Sequence, residues 1–174
     1  ILDLATIDAG AMKLELGPVD AAKAIEAAAE GVQDRLATDR IRLTVDVDLS
    51  VGTFVGDERR VVQVLYNLLA NAVGFSPPDS RVVVSARRTD HSVVFAVTDS
   101  GPGIPPEVKD KVFEWFESHS QGSRHRGAGL GLSLVRSFVE LHGGKVRMES
   151  VVGKGTTVTC DFPTDHVAQR NAAE

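Results

Sequence analysis

Three amides, Gln63, Asn67 and Asn71, recur at four-residue spacing, which places them on one stripe of a helix beside its apolar face. Such a stripe is either an ordinary solvated face or a ligand set. An Asn oxygen is a hard neutral ligand suited to Mg²⁺, a cation that takes a few protein oxygens and keeps waters and phosphate oxygens around it. A second cluster is the turn Asp99-Ser100-Gly101-Pro102-Gly103-Ile104. Asp, Gly and Pro are common turn formers. A carboxylate at the end of a buried strand can also accept a hydrogen bond from an exocyclic amine such as that of adenine, and glycines let a planar ring approach the backbone. The third cluster is Gly127-Ala128-Gly129-Leu130-Gly131-Leu132, which follows the basic residues Arg124 and Arg126 and opens a helix. Alternating glycines expose successive N–H groups, and a helix N-terminus adds about half a positive charge, so the stretch suits phosphate. It also reads as a plain flexible loop. The glycines are spaced two and two with no preceding strand, which departs from the dinucleotide fingerprint, and Gly153-Lys154 is followed by Gly155 where a P-loop needs Ser or Thr. His91, His119, His125, His142 and His166 show no metal-ligand spacing and read as surface or lid residues.

The elements that must hold these clusters follow from hydrophobic period. Leu4, Ile7, Ala11 and Leu14 share a helical stripe that stops at Gly17-Pro18. Asp20 can cap one helix with the apolar face Ile25, Ala29, Val32 and Leu36, and Asp57 another with Val61, Leu65, Leu68, Ala72 and Phe75 inward, stopped by Gly74 and Pro77-Pro78. Between them Ile41, Leu43, Val45 and Val47 alternate as a half-buried strand. Val82, Val84 and Ala86 alternate likewise, while residues 93–98 are nearly continuous and predict a strand buried on both faces. A short helix over 108–116, a helix over 130–141 ended by Gly143 and Gly144, and a hairpin follow. The hairpin carries Val146 and Met148, then Val158, Cys160 and Phe162, about the turn Gly153-Lys154-Gly155. The order predicts an α+β, two-layer arrangement with helices on one face of a mostly antiparallel sheet.

The chain has 174 residues, 43% hydrophobic and 25% charged, enough for one well-buried core. A net charge of −5 works against a nonspecific grip on nucleic acid or an anionic membrane. A lone Cys160 excludes an internal disulfide and a multi-cysteine zinc site, and suits a reducing compartment. No run approaches the roughly 20 apolar residues of a membrane span. The acidic start, with Asp3, Asp8, Glu15, Asp20, Glu26 and Glu30 against Lys13 and Lys23, is either a solvated face or a partner surface. Because residue 1 is Ile within a helical pattern, the chain reads as part of a longer protein.

Asn67…Asn71 on a helix, Asp99-x-Gly101-x-Gly103, a Phe113-x-x-Phe116 helix and Gly127-x-Gly129-x-Gly131-Leu132, in that order, resemble the catalytic ATP-binding domain of histidine kinases. The resemblance implies the GHKL, or Bergerat, α/β sandwich. It implies that residues 1–20 are the end of the second dimerisation helix and its linker, 21–164 the ATP-binding domain and 165–174 a flexible tail. The roles implied are Asn71 on Mg²⁺, Asn67 toward the phosphates, Phe75 against the base, and Asp99 on the adenine amine with Gly101, Gly103 and Ile104 around it. Arg124, Arg126, Gly127, Gly129, Leu130, Gly131 and Leu132 would line the triphosphate side, and Thr157 would come from the last glycine motif, Gly153-Lys154-Gly155-Thr156-Thr157. Related ATPases and serine kinases carry Glu where this chain has Asn67. A carboxylate can take a proton from water or serine and an amide cannot, so a self-sufficient nucleophile such as imidazole is implied. Gly74 stands where many relatives have a basic residue, and Glu117 follows Phe116 where an Arg is usual.

The implied cofactors are ATP and Mg²⁺. The implied partners are the phosphoacceptor domain of the same protein, a response regulator and another histidine kinase, in a full-length homodimer with no nucleic acid; this domain is expected in the cytoplasm without direct membrane contact, and membrane association of the parent protein stays open. The run Phe116 to Gly127, with Arg136 to Gly143, is similar to an atypical branch of the family in which tyrosine replaces the acceptor histidine. That likeness implies an alternative, a regulatory interaction module without phosphotransfer.

Overall fold

The computed structural model describes residues 13–109 and 131–164. Its elements run β1 (Gly17–Asp20), α1 (Ala21–Glu30), α2 (Gln33–Asp39), β2 (Arg42–Val47), β3 (Thr53–Gly56), α3 (Glu58–Phe75), β4 (Arg81–Arg88), β5 (Ser92–Thr98), α4 (Pro106–Lys109), α5 (Gly131–Leu141), β6 (Lys145–Val151) and β7 (Gly155–Pro163). The main sheet has five strands in the order β2-β4-β5-β7-β6, and β1 pairs with β3 in a separate two-stranded sheet. Among the described strands only β2 and β4 pair in parallel.

Register explains how the sheet builds a floor. Val45, Val84, Val97, Val158 and Met148 are successive partners across the five strands, so their side chains share one face. The next such row holds Val47, Ala86, Phe95, Cys160 and Val146. Helices α1, α3 and α5 lie over that face, and Ile25, Leu65, Leu69, Phe138, Phe95 and Phe162 are all buried at 1% exposure or less. Each such side chain contributes about 2 kcal/mol of transfer free energy. Phe54, Phe95 and Phe162 form a cluster with centroids 5.7 to 6.0 Å apart. Burial, with Asp161 alongside, pushes the Cys160 thiol up to about 12, so it stays protonated and inert at neutral pH. Among the described residues no helix is long and apolar enough to cross a membrane.

The two predicted caps form: Asp20 accepts from Lys23 N–H at 3.1 Å and Asp57 from Arg60 N–H at 3.3 Å. Several expectations need correction. The helix read across Ala29, Val32 and Leu36 is two helices, broken after Gly31, where a side chain would meet the Tyr66 ring at 2.8 Å. Strand β5 is not buried on both faces. Val93, Phe95 and Val97 are buried while Val94 and Ala96 are half-buried and Thr98 exposed, because among the described residues helices cover one side of the sheet only. Val45 is 50% exposed, since β2 is an edge strand. Strands β1 and β3 are additions, the first within residues read as linker. His142 is no surface residue: it is 1% exposed. Leu14, read as the last residue of a helical stripe, lies in no helix, while Leu4, Ile7 and Ala11 of that stripe, most of the 108–116 helix, and His119, His125 and His166 lie outside the described residues.

Candidate nucleotide site

Eighteen residues of α3 carry the amide stripe toward the start of α5. Asn71 is 7% exposed, and among the described residues neither its side-chain oxygen nor its nitrogen has a hydrogen-bond partner. A buried amide without partners costs about 1–3 kcal/mol, so its retention marks a site completed by something else. Gly131, the first residue of α5, sits against it: a Cβ there would lie 3.4 Å from Asn71 Nδ2 and 3.6 Å from Asn67 Cβ. Asn67 is half-buried, and Gln63 accepts from Arg60 Nη1 at 3.3 Å. The stripe therefore divides into Gln63, bonded to Arg60, and two Asn residues beside the start of α5, a combination suited to a cation and anionic oxygens.

Beside Asn71 opens a cavity of about 260 Å³. Leu68, Ala72 and Phe75 of α3 form one wall, Val97, Val158 and Met148 the floor, and Gly103, Ile104 and Val108 the opposite side. Leu132 closes the α5 end. The walls are apolar, and Asn71, Asp99 and Thr156 are the polar side chains among the lining residues.

Asp99 is held by the turn that it opens. Its Oδ1 accepts from Gly101 N–H at 2.9 Å and Thr156 N–H at 3.1 Å, while its own N–H donates to Thr156 O at 2.9 Å. Its Oδ2 takes no hydrogen bond among the described residues and stays available to a ligand. Burial raises the carboxyl above the usual carboxylate range, and the Gly101 and Thr156 N–H groups pull it partly back.

The glycines of this turn are required by backbone packing. A Cβ on Gly101 would lie 2.8 Å from Phe75 O, and one on Gly103, whose φ is +76°, 2.3 Å from Val151 O. Ile104 N–H donates to Ser150 Oγ at 2.7 Å. The turn is thereby bolted to α3 and to the hairpin.

Of the predicted site residues, Asn71, Phe75, Asp99, Gly103, Ile104 and Leu132 line the cavity, with Asn67, Gly101 and Gly131 immediately behind it. Thr157 faces away, its Oγ1 2.9 Å from Thr98 Oγ1, and Thr156 lines the cavity instead. The strand period held that signal, because Val158 points inward and Thr156 shares its face. Arg124, Arg126, Gly127, Gly129 and Leu130 lie outside the described residues. Sequence reasoning missed Met148 as a lining residue and His142 as a buried one, although His142 continues the apolar stripe Val135, Phe138, Val139 at helical spacing.

A two-layer sandwich with an apolar slot, one available carboxylate oxygen and a buried unpartnered amide at a helix N-terminus defines a nucleotide-binding domain. Residues 56–166 match the family described as histidine kinase-, DNA gyrase B-, and HSP90-like ATPase; the chain belongs to that family. It is 39% identical over 163 residues to the sensor protein DivL of Caulobacter vibrioides, covering 94% of this chain and 21% of DivL. It is 36% identical to the circadian input-output histidine kinase CikA of Synechococcus elongatus, over 94% of this chain and 22% of CikA. The chain thus spans about a fifth of the length of these relatives. Among solved structures, full-length ShkA in complex with AMPPNP superposes with a TM-score of 0.81 at 32% identity, over 93% of this chain and 34% of ShkA. The catalytic domain of the histidine kinase ThkA, in a nucleotide-free form, gives 0.75 at 26% identity, over 87% of this chain and 97% of that one. The mostly antiparallel GHKL sandwich expected from the motifs is therefore the fold observed.

Proposed function

We propose that the chain binds Mg-ATP and donates the γ-phosphoryl group to a residue on the adjacent dimerisation domain of a two-component sensor kinase. The observation that carries this reading is Asn71, buried at the start of α5 with both amide atoms unpartnered. Asp99 Oδ2 accepts the adenine amine, Phe75 and Ile104 flank the base, and Asn67 and the α5 N-terminus face the phosphates. The donor set fits Mg²⁺: Asn71 offers one hard oxygen and the phosphates supply more. When bound, the ion neutralises charge on the phosphate oxygens. This chain's residues position the nucleotide and exclude water, and proton removal is left to the acceptor, because Asn67 cannot act as a base. The full-length protein is a homodimer that holds this domain in the cytoplasm and passes the phosphoryl group to a response regulator. The solved ShkA complex holds AMPPNP, which supports a triphosphate ligand here. A purely interacting module has no use for an unpartnered buried amide, which argues against that alternative.

Titration calorimetry with ATP, with and without Mg²⁺ and with ADP as control, tests the reading. Magnesium-dependent ATP binding supports it, and a folded chain that binds no nucleotide overturns it. Transfer of labelled phosphate onto the dimerisation domain, supplied on the full-length protein, tests the second half.

A further inference from the structure

The end of the α3–α5 pair remote from the cavity holds a buried polar junction that nucleotide binding does not use. Asp57 and His142 are 6% and 1% exposed. Asp57 N–H donates to His142 Nε2 at 3.0 Å, and His142 Nδ1 lies 2.7 Å from Phe138 O. Since Nε2 accepts, Nδ1 carries the proton and donates to that carbonyl, so one tautomer satisfies both contacts. The ring is fixed edge-on to Phe162, with centroids 5.1 Å apart. The Asp57 carboxylate makes two further bonds: Oδ1 caps α3 through Arg60 N–H, and Oδ2 accepts from Glu15 N–H at 2.9 Å. Three separate parts of the chain meet here: the segment before β1, the first turn of α3 and the last turn of α5.

Helices α3 and α5 run antiparallel, with Asp57 beside His142 at one end and Asn71 beside Gly131 at the other. By the helical rise the two ends are about 20 Å apart along α3. Two packed helices pinned at one end move as a unit at the other, because a close-packed interface transmits displacement. A hydrogen bond from a main-chain N–H to a carboxylate is of the stronger kind, and the donor here belongs to the segment through which anything upstream must pull.

We infer that Asp57 and His142 are positioning residues that couple the segment at Glu15 to the nucleotide helices, so that the path of the chain entering β1 sets the spacing of Asn71 and Gly131. This inference rests on the ATP reading for its consequence but not for its geometry. Glu15→Pro deletes the donating N–H, whereas Glu15→Ala keeps it and removes only the side chain. His142→Leu removes the acceptor for Asp57 N–H, whereas His142→Gln places an oxygen near the position of Nε2.

The test measures ATP affinity by calorimetry at a temperature where every variant is folded, together with amide exchange in nucleotide-free protein. Glu15→Pro and His142→Leu are expected to weaken ATP about fivefold or more and to speed exchange along α3 but not in β4 and β5. Glu15→Ala and His142→Gln stay near the parent in both readouts. Equal ATP affinity and equal α3 exchange for the Pro and Ala variants would overturn the coupling. If the parent chain binds no ATP, the proposed function fails by itself, and the exchange comparison still decides the coupling.

Discussion

On the proposed reading the two carboxylate oxygens of Asp99 have different tasks. Oδ1 is committed to Gly101 and Thr156 N–H groups, so Asp99→Asn can keep its amide oxygen there and present an NH₂ where Oδ2 stood. A donor would then face a donor on the base. ATP affinity is expected to fall about 10- to 100-fold, the equivalent of about 1.5–3 kcal/mol for a bond to a charged group, while inorganic triphosphate binds as before; parallel calorimetric titrations check it. The pH dependence follows from the raised carboxyl. The folded state holds this proton more tightly than the unfolded chain does, so ionised Asp99 costs stability above its folded pKa and the cost vanishes as pH falls through it. Recognition runs the opposite way, because the accepting carboxylate is lost on protonation. Affinity for ATP should therefore decline on acidification above the ordinary Asp range, without acid unfolding through this group. Titrations from about pH 7 to about pH 4 should show a steeper decline for the parent than for Asp99→Asn, and equal slopes would contradict the assignment.

Among the elements, the turn that carries Asp99 is built from contacts that leave no room for side chains. Gly155, at φ +122°, would place a Cβ 2.2 Å from Asp99 O and 3.3 Å from Asp99 Oδ1. Both obstacles are parts of the site, and the first is backbone that cannot swing aside. Gly155→Ala should cost about 1–3 kcal/mol in stability through left-handed strain and the clash, and weaken ATP at the same time. Gly31→Ala is the instructive contrast, because its nearest obstacle is the Tyr66 ring, 40% exposed and able to move. There, better helix propensity offsets the shift, and the change stays within about 1 kcal/mol. Thermal unfolding of the two variants separates a glycine required by backbone from one opposed by a yielding side chain. The same contrast marks what the sequence could convey. Period and caps announced α3, α5 and the β6–β7 hairpin, since these depend on local pattern. The break beside Gly31, where Val32 leaves the helical region, and the open face of β5, which no described helix covers, carry no such local signal.

At the scale of the whole molecule, the site was legible where its chemistry comes from residue type and spacing, as at Asn71 and Asp99. It was illegible where two distant segments meet, as at Asp57 and His142, whereas Thr156 in place of Thr157 follows from the strand period through Val158. On the proposed reading stability and function are opposed at Asn71. The folded chain carries its unpartnered amide as a cost of about 1–3 kcal/mol, and only a ligand that completes the site removes it. Asn71→Ala deletes the orphaned atoms and leaves a small space that opens onto the cavity. The nucleotide-free variant is therefore expected to melt no lower than the parent, against the usual trend for substitutions in a helix core. Ligand linkage then separates the two proteins. Mg-ATP at a hundred times its Kd adds about 2.7 kcal/mol to the form that binds it, which for a domain of this size raises the melting temperature by about 5–10 °C. The parent should show that rise, and lose most of it when Mg²⁺ is chelated. Asn71→Ala should show none with or without the metal. A variant that melts far below the parent without nucleotide would make Asn71 a structural residue, and one that keeps a magnesium-dependent rise would move the metal elsewhere.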